Sequence, residues 1–152
     1  MPKPLRGYFP IMATPYTSDG EIDLVSVERL VDYLIENGAH GMSPNGGDSE
    51  APYLSVDERN AIIDAVLGTN GGRTPVLVGT SAHTVEETLQ LNQHAQEAGA
   101  DCVFVHPGWG RSKLSTEEIV DFYDTICSQI EIPVMIHGTA DMDLAVVQTL
   151  LE

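Results

Sequence analysis

At 152 residues the chain holds one full-sized core and no more, and its 42% apolar and 20% charged residues are an ordinary globular mixture. A formal charge of −16 excludes a field attractive to nucleic acid or to anionic membranes. No long apolar run follows Lys3 and Arg6, and no later segment reaches bilayer-spanning length, so a cytoplasmic protein is expected.

In chain order, Tyr8 to Met12 is a short apolar segment, followed by a Thr14-Pro15 break and an Asp19-Gly20 turn. Val27, Leu30, Val31 and Leu34 at i, i+3, i+4, i+7 predict a helix from about Leu24 to Glu36. Gly38 is placed to stop it in the left-handed conformation, and His40 to Ser43 then reads as a second strand, with His40 at its bottom end. Pro44-Asn45-Gly46-Gly47 cannot continue that strand. The paired glycines are expected to turn backbone N–H groups toward a bound anion, with Asp48, Ser49 and Glu50 at the same mouth. An Asn-Gly hairpin is the competing reading, disfavoured by the helical patterns on both sides.

Ser55 and Glu58 form a capping box for a helix carrying Ile62, Ile63, Val66 and Leu67 on one side. Pro75 to Gly79 reads as a buried third strand, and Thr84 with Glu87 as a second capping box for a helix ending near Gly99. Asp101 to His106 is the fourth strand. Ser115 or Thr116 caps a helix with Ile119, Phe122, Tyr123 and Ile126 on one face, and His94 sits mid-helix among glutamines. Pro133 to His137 is the fifth strand, and Leu144, Val147, Leu150 and Leu151 begin one more helix. Cys102 and Cys127 are expected as buried free thiols rather than a disulfide.

Strand starts near residues 8, 40, 75, 102 and 133 recur at the roughly 31-residue spacing of an eight-fold α/β barrel. A five-stranded doubly wound sheet fits the same rhythm, and periodicity does not separate the two.

Leu5-Arg6-Gly7 through Thr14-Pro15-Tyr16, with Asp19-Gly20-Glu21-Ile22-Asp23, resembles the opening of the dihydrodipicolinate synthase and N-acetylneuraminate lyase superfamily. Leu54 to Arg59, Gly72 to Val76, Ala98 to Asp101 and Ile132 to Val134 resemble it in the same order. The resemblance implies an α/β fold of (β/α)8 TIM-barrel type, truncated here to about five βα units, with residues 1–152 as one portion and no second domain. It implies a lyase or dehydratase acting on a small pyruvate-type 2-oxo acid through a lysine Schiff base, with no cofactor. That lysine is expected on strand six, past Glu152. Lys3 and Lys113 are poor substitutes, so the chain by itself is expected to be inactive. The expected partners are the substrate and either further copies of the chain or a missing C-terminal half, because open strand edges seek partners.

The site residues implied are Ser49 and His137 for catalysis, with Thr14, Gly46, Gly47, Asp48, His106 and Trp109 around the substrate. Gly46 and Glu50 match the family's Gly-Thr-Thr-Gly-Glu loop. Gly47, Asp48 and Ser49 replace its hydroxyl pair and second glycine, leaving carboxylate binding to backbone groups and Ser49, with Asp48 repelling an anion. His137-Gly138 stands where the family has Tyr-Asn, and an imidazole does acid–base work near neutral pH. Pro107-Gly108-Trp109 replaces Pro-Tyr-Tyr, and the arginine that synthases place after strand five has no counterpart, so dihydrodipicolinate synthesis itself is not expected. Two other chemistries stay open: a metal-dependent lyase or hydrolase using His83, His106 and His137 with Asp48 or Glu50, and a non-catalytic fragment.

Overall fold

The computed structural model describes residues 3–107, 114–138 and 142–151. Helices alternate with parallel strands: α1 (Leu24–Glu36), α2 (Val56–Asn70), β1 (Leu77–Gly79), α3 (Val85–Glu97), β2 (Cys102–Val105), α4 (Thr116–Cys127), β3 (Val134–Ile136) and α5 (Leu144–Leu151). The strands pair in chain order, β1 with β2 and β2 with β3, both parallel. Two further parallel bridges, Ile11 to Ser43 and Met42 to Val76, extend the order to the N-terminus. A doubly wound sheet would break that order, so the pairing follows the barrel alternative.

The two N-terminal strands expected from the sequence are reduced to these bridges. His40 and Ser43 both donate to the first segment, to Tyr8 and Pro10 carbonyls, three residues apart rather than two. The ladder therefore slips at Gly41, where a Cβ would collide with the Phe9 ring and the Pro75 carbonyl. Pro10 and Pro44 supply no N–H on either side of the slip.

Helix ends follow local chemistry. The Asp23 side chain caps α1 by accepting from Ser26 N at 3.0 Å, and Gly38 takes φ +81 just past its end. Ser55 with Glu58 and Ser115 with Glu118 form full capping boxes, whereas Thr84 accepts from Glu87 N without a reciprocal bond. Hydrogen bonds to Ser55 hold the Glu58 carboxyl below its usual pKa. Ile62, Ile63 and Val66 of α2 and Ile119, Tyr123 and Ile126 of α4 are buried as expected. On α5 it is Val146 that is buried, while Leu144 and Leu151 are exposed.

Successive helices pack on one another in chain order, α1 on α2 through α4 on α5. Strand alternation sends Val76, Val78, Val103 and Val105 into the core under these helices. The intervening Leu77, Phe104 and Met135 point the other way, into an open cavity. Both cysteines are free, but only Cys102 is buried; Cys127 lies four residues after Tyr123 but is the last residue of α4, and it is exposed at the helix end. Among the described residues no helix is long and apolar enough to cross a membrane.

Candidate active site

Parallel strands put all their C-terminal ends on one side, and connecting loops there are where α/β proteins collect functional groups. The inner face of the sheet opens into a cavity of about 740 Å³ lined by Ser43, Gly47, Asp48, Leu77, Phe104, Met135 and His137, with Leu5 to Phe9 and Ile11 along one side. Its floor is apolar, with the Asp48 carboxylate, the His137 imidazole, Arg6 and the Tyr8 phenol as ionisable groups. Apolar walls with a few convergent polar groups are the usual composition of a small-molecule site.

The loop after Ser43 forms a 3₁₀ turn over Gly47–Ser49 and a second over Ala51–Tyr53. Its left-handed residues are Asn45 and Glu50, at φ +58 and +60, and neither glycine. That corrects the expectation that paired glycines supply the turning conformation. Gly46 is instead needed for close approach, since a Cβ there would lie 2.8 Å from Ile11 Cγ2, whereas Gly47 has open space around it. Ser49 is 1% exposed. Its hydroxyl donates to the Met12 carbonyl and accepts from Gly46 N at 3.1 Å, so both capacities are engaged by backbone. Thr14 Oγ1 donates to the Ser49 carbonyl at 2.6 Å, tying the first loop to the second. Thr14 and Ser49 thus stand behind the cavity wall that Gly47 and Asp48 face.

After β2, the His106 amide donates to Ser81 Oγ at 2.8 Å. The His106 ring lies 5.7 Å from the His137 ring at a 49° tilt, and the Phe104 ring lies 6.4 Å from His137. Burial pulls the His106 imidazole below its ordinary pKa, and the neighbouring His137 adds to the shift. Tyr123 reaches the same strand end, its hydroxyl donating to the Val105 carbonyl at 2.7 Å; burial raises that phenol well above its usual value.

His83 is separated from this pair and lines a small recess with Val85, Glu118 and Phe122. Among the described residues no group of three His, Cys, Asp or Glu side chains comes together as a metal site would require. His94 bonds Asp64 on α2 at 2.8 Å, and His40 Nδ1 accepts from Tyr8 N at 3.1 Å, so both serve the scaffold. Lys3 is held at the opposite end of the sheet, where Nζ meets Asp101 at 3.0 Å and the Thr74 carbonyl at 3.2 Å. Trp109 and Lys113 lie outside the described residues.

Sequence reasoning missed Arg59, 3% exposed on α2, which donates to the Ser81 and Gly79 carbonyls at 2.8 and 2.9 Å. Its signal was available: it lies three and four residues before Ile62 and Ile63, on the buried face of the helix.

The match to the dihydrodipicolinate synthetase family model runs over residues 4–152. The chain belongs to that family. The family member is 36% identical over 133 residues to the 4-hydroxy-tetrahydrodipicolinate synthase of Salinibacter ruber, covering 88% of this chain and 44% of that one. The crystal structure of YagE from E. coli K12, a dihydrodipicolinic acid synthase family protein in complex with pyruvate, superposes with a TM-score of 0.89 at 32% identity, over 97% of this chain and 51% of that one. The N-acetylneuraminate lyase of Mycoplasma synoviae gives 0.90 at 26% identity, over 96% and 50%. The chain spans about half the length of the curated relatives it matches.

Proposed function

We propose that residues 1–152 form the first five βα units of a (β/α)8 barrel, and that its C-terminal strand ends bind a small 2-oxo acid of the pyruvate type. The observation that carries this reading is the cavity itself. An apolar inner sheet face of Leu77, Phe104 and Met135 meets polar groups of Gly47, Asp48 and His137 at the strand ends, in a family whose E. coli YagE member holds pyruvate. The chemistry is lyase or aldolase chemistry through an imine, in which a lysine amine condenses with the 2-oxo carbonyl and releases water. That amine comes from a sixth strand, outside residues 1–152.

His137, whose imidazole stands on the cavity wall, is the acid–base group. Backbone groups of Gly47 flank the substrate with Asp48, while Gly46, whose N–H is held by Ser49, acts with Ser49 and Thr14 by fixing that loop. His106 stands beside His137, with its ring held toward the neutral form.

The test is reductive trapping with pyruvate and borohydride, read by mass spectrometry. The 152-residue chain is expected to gain no mass, because Lys3 is engaged by Asp101 at the far end of the sheet. A chimaera joining residues 1–152 to the C-terminal half of the Salinibacter ruber relative is expected to be trapped. A folded chimaera that is not trapped, or a pyruvate-dependent mass gain on Lys113 of the short chain, overturns the proposal.

A further inference from the structure

Arg59 buries a guanidinium where an apolar side chain would cost less. Desolvation lowers its pKa to about 10, so it remains charged at neutral pH while surrendering its hydration. Buried charges are weak sources of stability, and well-packed apolar replacements are often as stable or more so. What the guanidinium supplies is geometry. Its planar fork spans two carbonyls two residues apart, Gly79 and Ser81, at the point where the chain leaves β1 for the cavity mouth.

Each contact continues into the candidate site. Ser81, whose carbonyl Arg59 holds, accepts the His106 amide on its hydroxyl, which fixes the start of the loop after β2. Gly79 donates its amide to the Pro44 carbonyl at 2.9 Å and lies so close to Asn45 that a Cβ there would sit 2.7 Å from the Asn45 carbonyl carbon. Asn45, 2% exposed and left-handed, donates its side-chain amide to the Arg59 carbonyl at 3.0 Å. One residue on the outer helix layer therefore ties together three successive strand ends.

We propose that Arg59 is the positioning residue of the site, setting the Gly46–Ser49 loop and His106 relative to one another without itself touching substrate. The inference rests on the reading of this cavity as the functional site. Its test is read without any ligand, so a failed pyruvate trap does not decide it.

The experiment is amide hydrogen exchange on the 152-residue chain, comparing Arg59→Ala, Ser81→Ala and Val66→Ala. Val66 is fully buried on the same helix and reports loss of packing alone. In Arg59→Ala the His106 and Gly79 amides are expected to exchange about ten- to a hundredfold faster, beyond any change at Val103 in the β2 ladder, as follows from losing charge-assisted bonds. In Ser81→Ala only His106 is expected to change. In Val66→Ala all amides are expected to move by one common factor. Millimolar guanidinium is expected to slow His106 exchange in Arg59→Ala, while sodium at equal ionic strength is not. Should Arg59→Ala be unfolded, Arg59→Lys is read instead, because the two carbonyls are held from separate nitrogens, Nη1 and Nη2, and a single Nζ cannot stand at both positions, so the same ordering is expected. A uniform change in the Arg59 variant, or no response to guanidinium, reduces Arg59 to a packing residue and overturns the proposal.

Discussion

Replacing Ser49 with alanine separates a loop brace from a ligand hydroxyl. The Ser49 side chain satisfies two backbone groups, the Met12 carbonyl and the Gly46 N–H, in a site almost closed to water. Truncation leaves both unpaired, and a buried polar group deprived of its partner costs about 1–3 kcal/mol. Some relaxation of the short 3₁₀ turn lowers the sum, giving a loss of about 2–4 kcal/mol. With a urea slope near 2 kcal/mol/M, the unfolding midpoint should fall by about 1–2 M with the slope unchanged. Asp48→Asn, at an exposed neighbour, is the comparison and should stay within about 0.5 kcal/mol of the parent. If Ser49→Ala unfolds at the parent's midpoint, the hydroxyl contributes nothing to the fold. Its reason for being there would then be a ligand, as functional groups commonly do not stabilise the empty protein.

Gly79→Ala should lower stability by about 3 kcal/mol through backbone overlap with Asn45, a fall in Tm of about 6–12 °C by calorimetry, whereas Gly47→Ala, with open space around it, should be neutral or stabilise by about 0.4–1 kcal/mol. Equal effects of the two would refute the division of roles between these glycines. Because the native His106 pKa lies below 6.5, the unfolded chain takes up its proton first. Stability from this group is full above pH 6.5, declines as pH falls through that value, and levels off below the native pKa. Urea midpoints of the parent and His106→Gln across this range should diverge on the acid side; parallel curves would show that His106 titrates as freely in the native state as in the unfolded chain.

What the sequence by itself determined is local. The bounds of α1, the capping box at Ser55, a cap at Ser115 or Thr116 and the left-handed Gly38 were all legible, because each depends on residues within a turn or two of one another. The family resemblance was legible too, since its motifs are distributed along the chain in order, and the family match over residues 4–152 bears it out. Tertiary structure decided the rest. The ladder slips at Gly41 because Phe9 crosses there, and Gly46 and Gly79 are small because Ile11 and Asn45 approach them. Ser49 is engaged by Met12, 37 residues away, and Arg59 holds carbonyls 20 and 22 residues away. Whether three loop histidines form one cluster was also decided in space, where His106 and His137 come together on adjacent strands and His83 turns to another recess. Spacing along the chain fixes which side of the sheet a loop residue leaves from. The partner its side chain meets there depends on segments brought together by the packing of the whole sheet, and no local pattern encodes that.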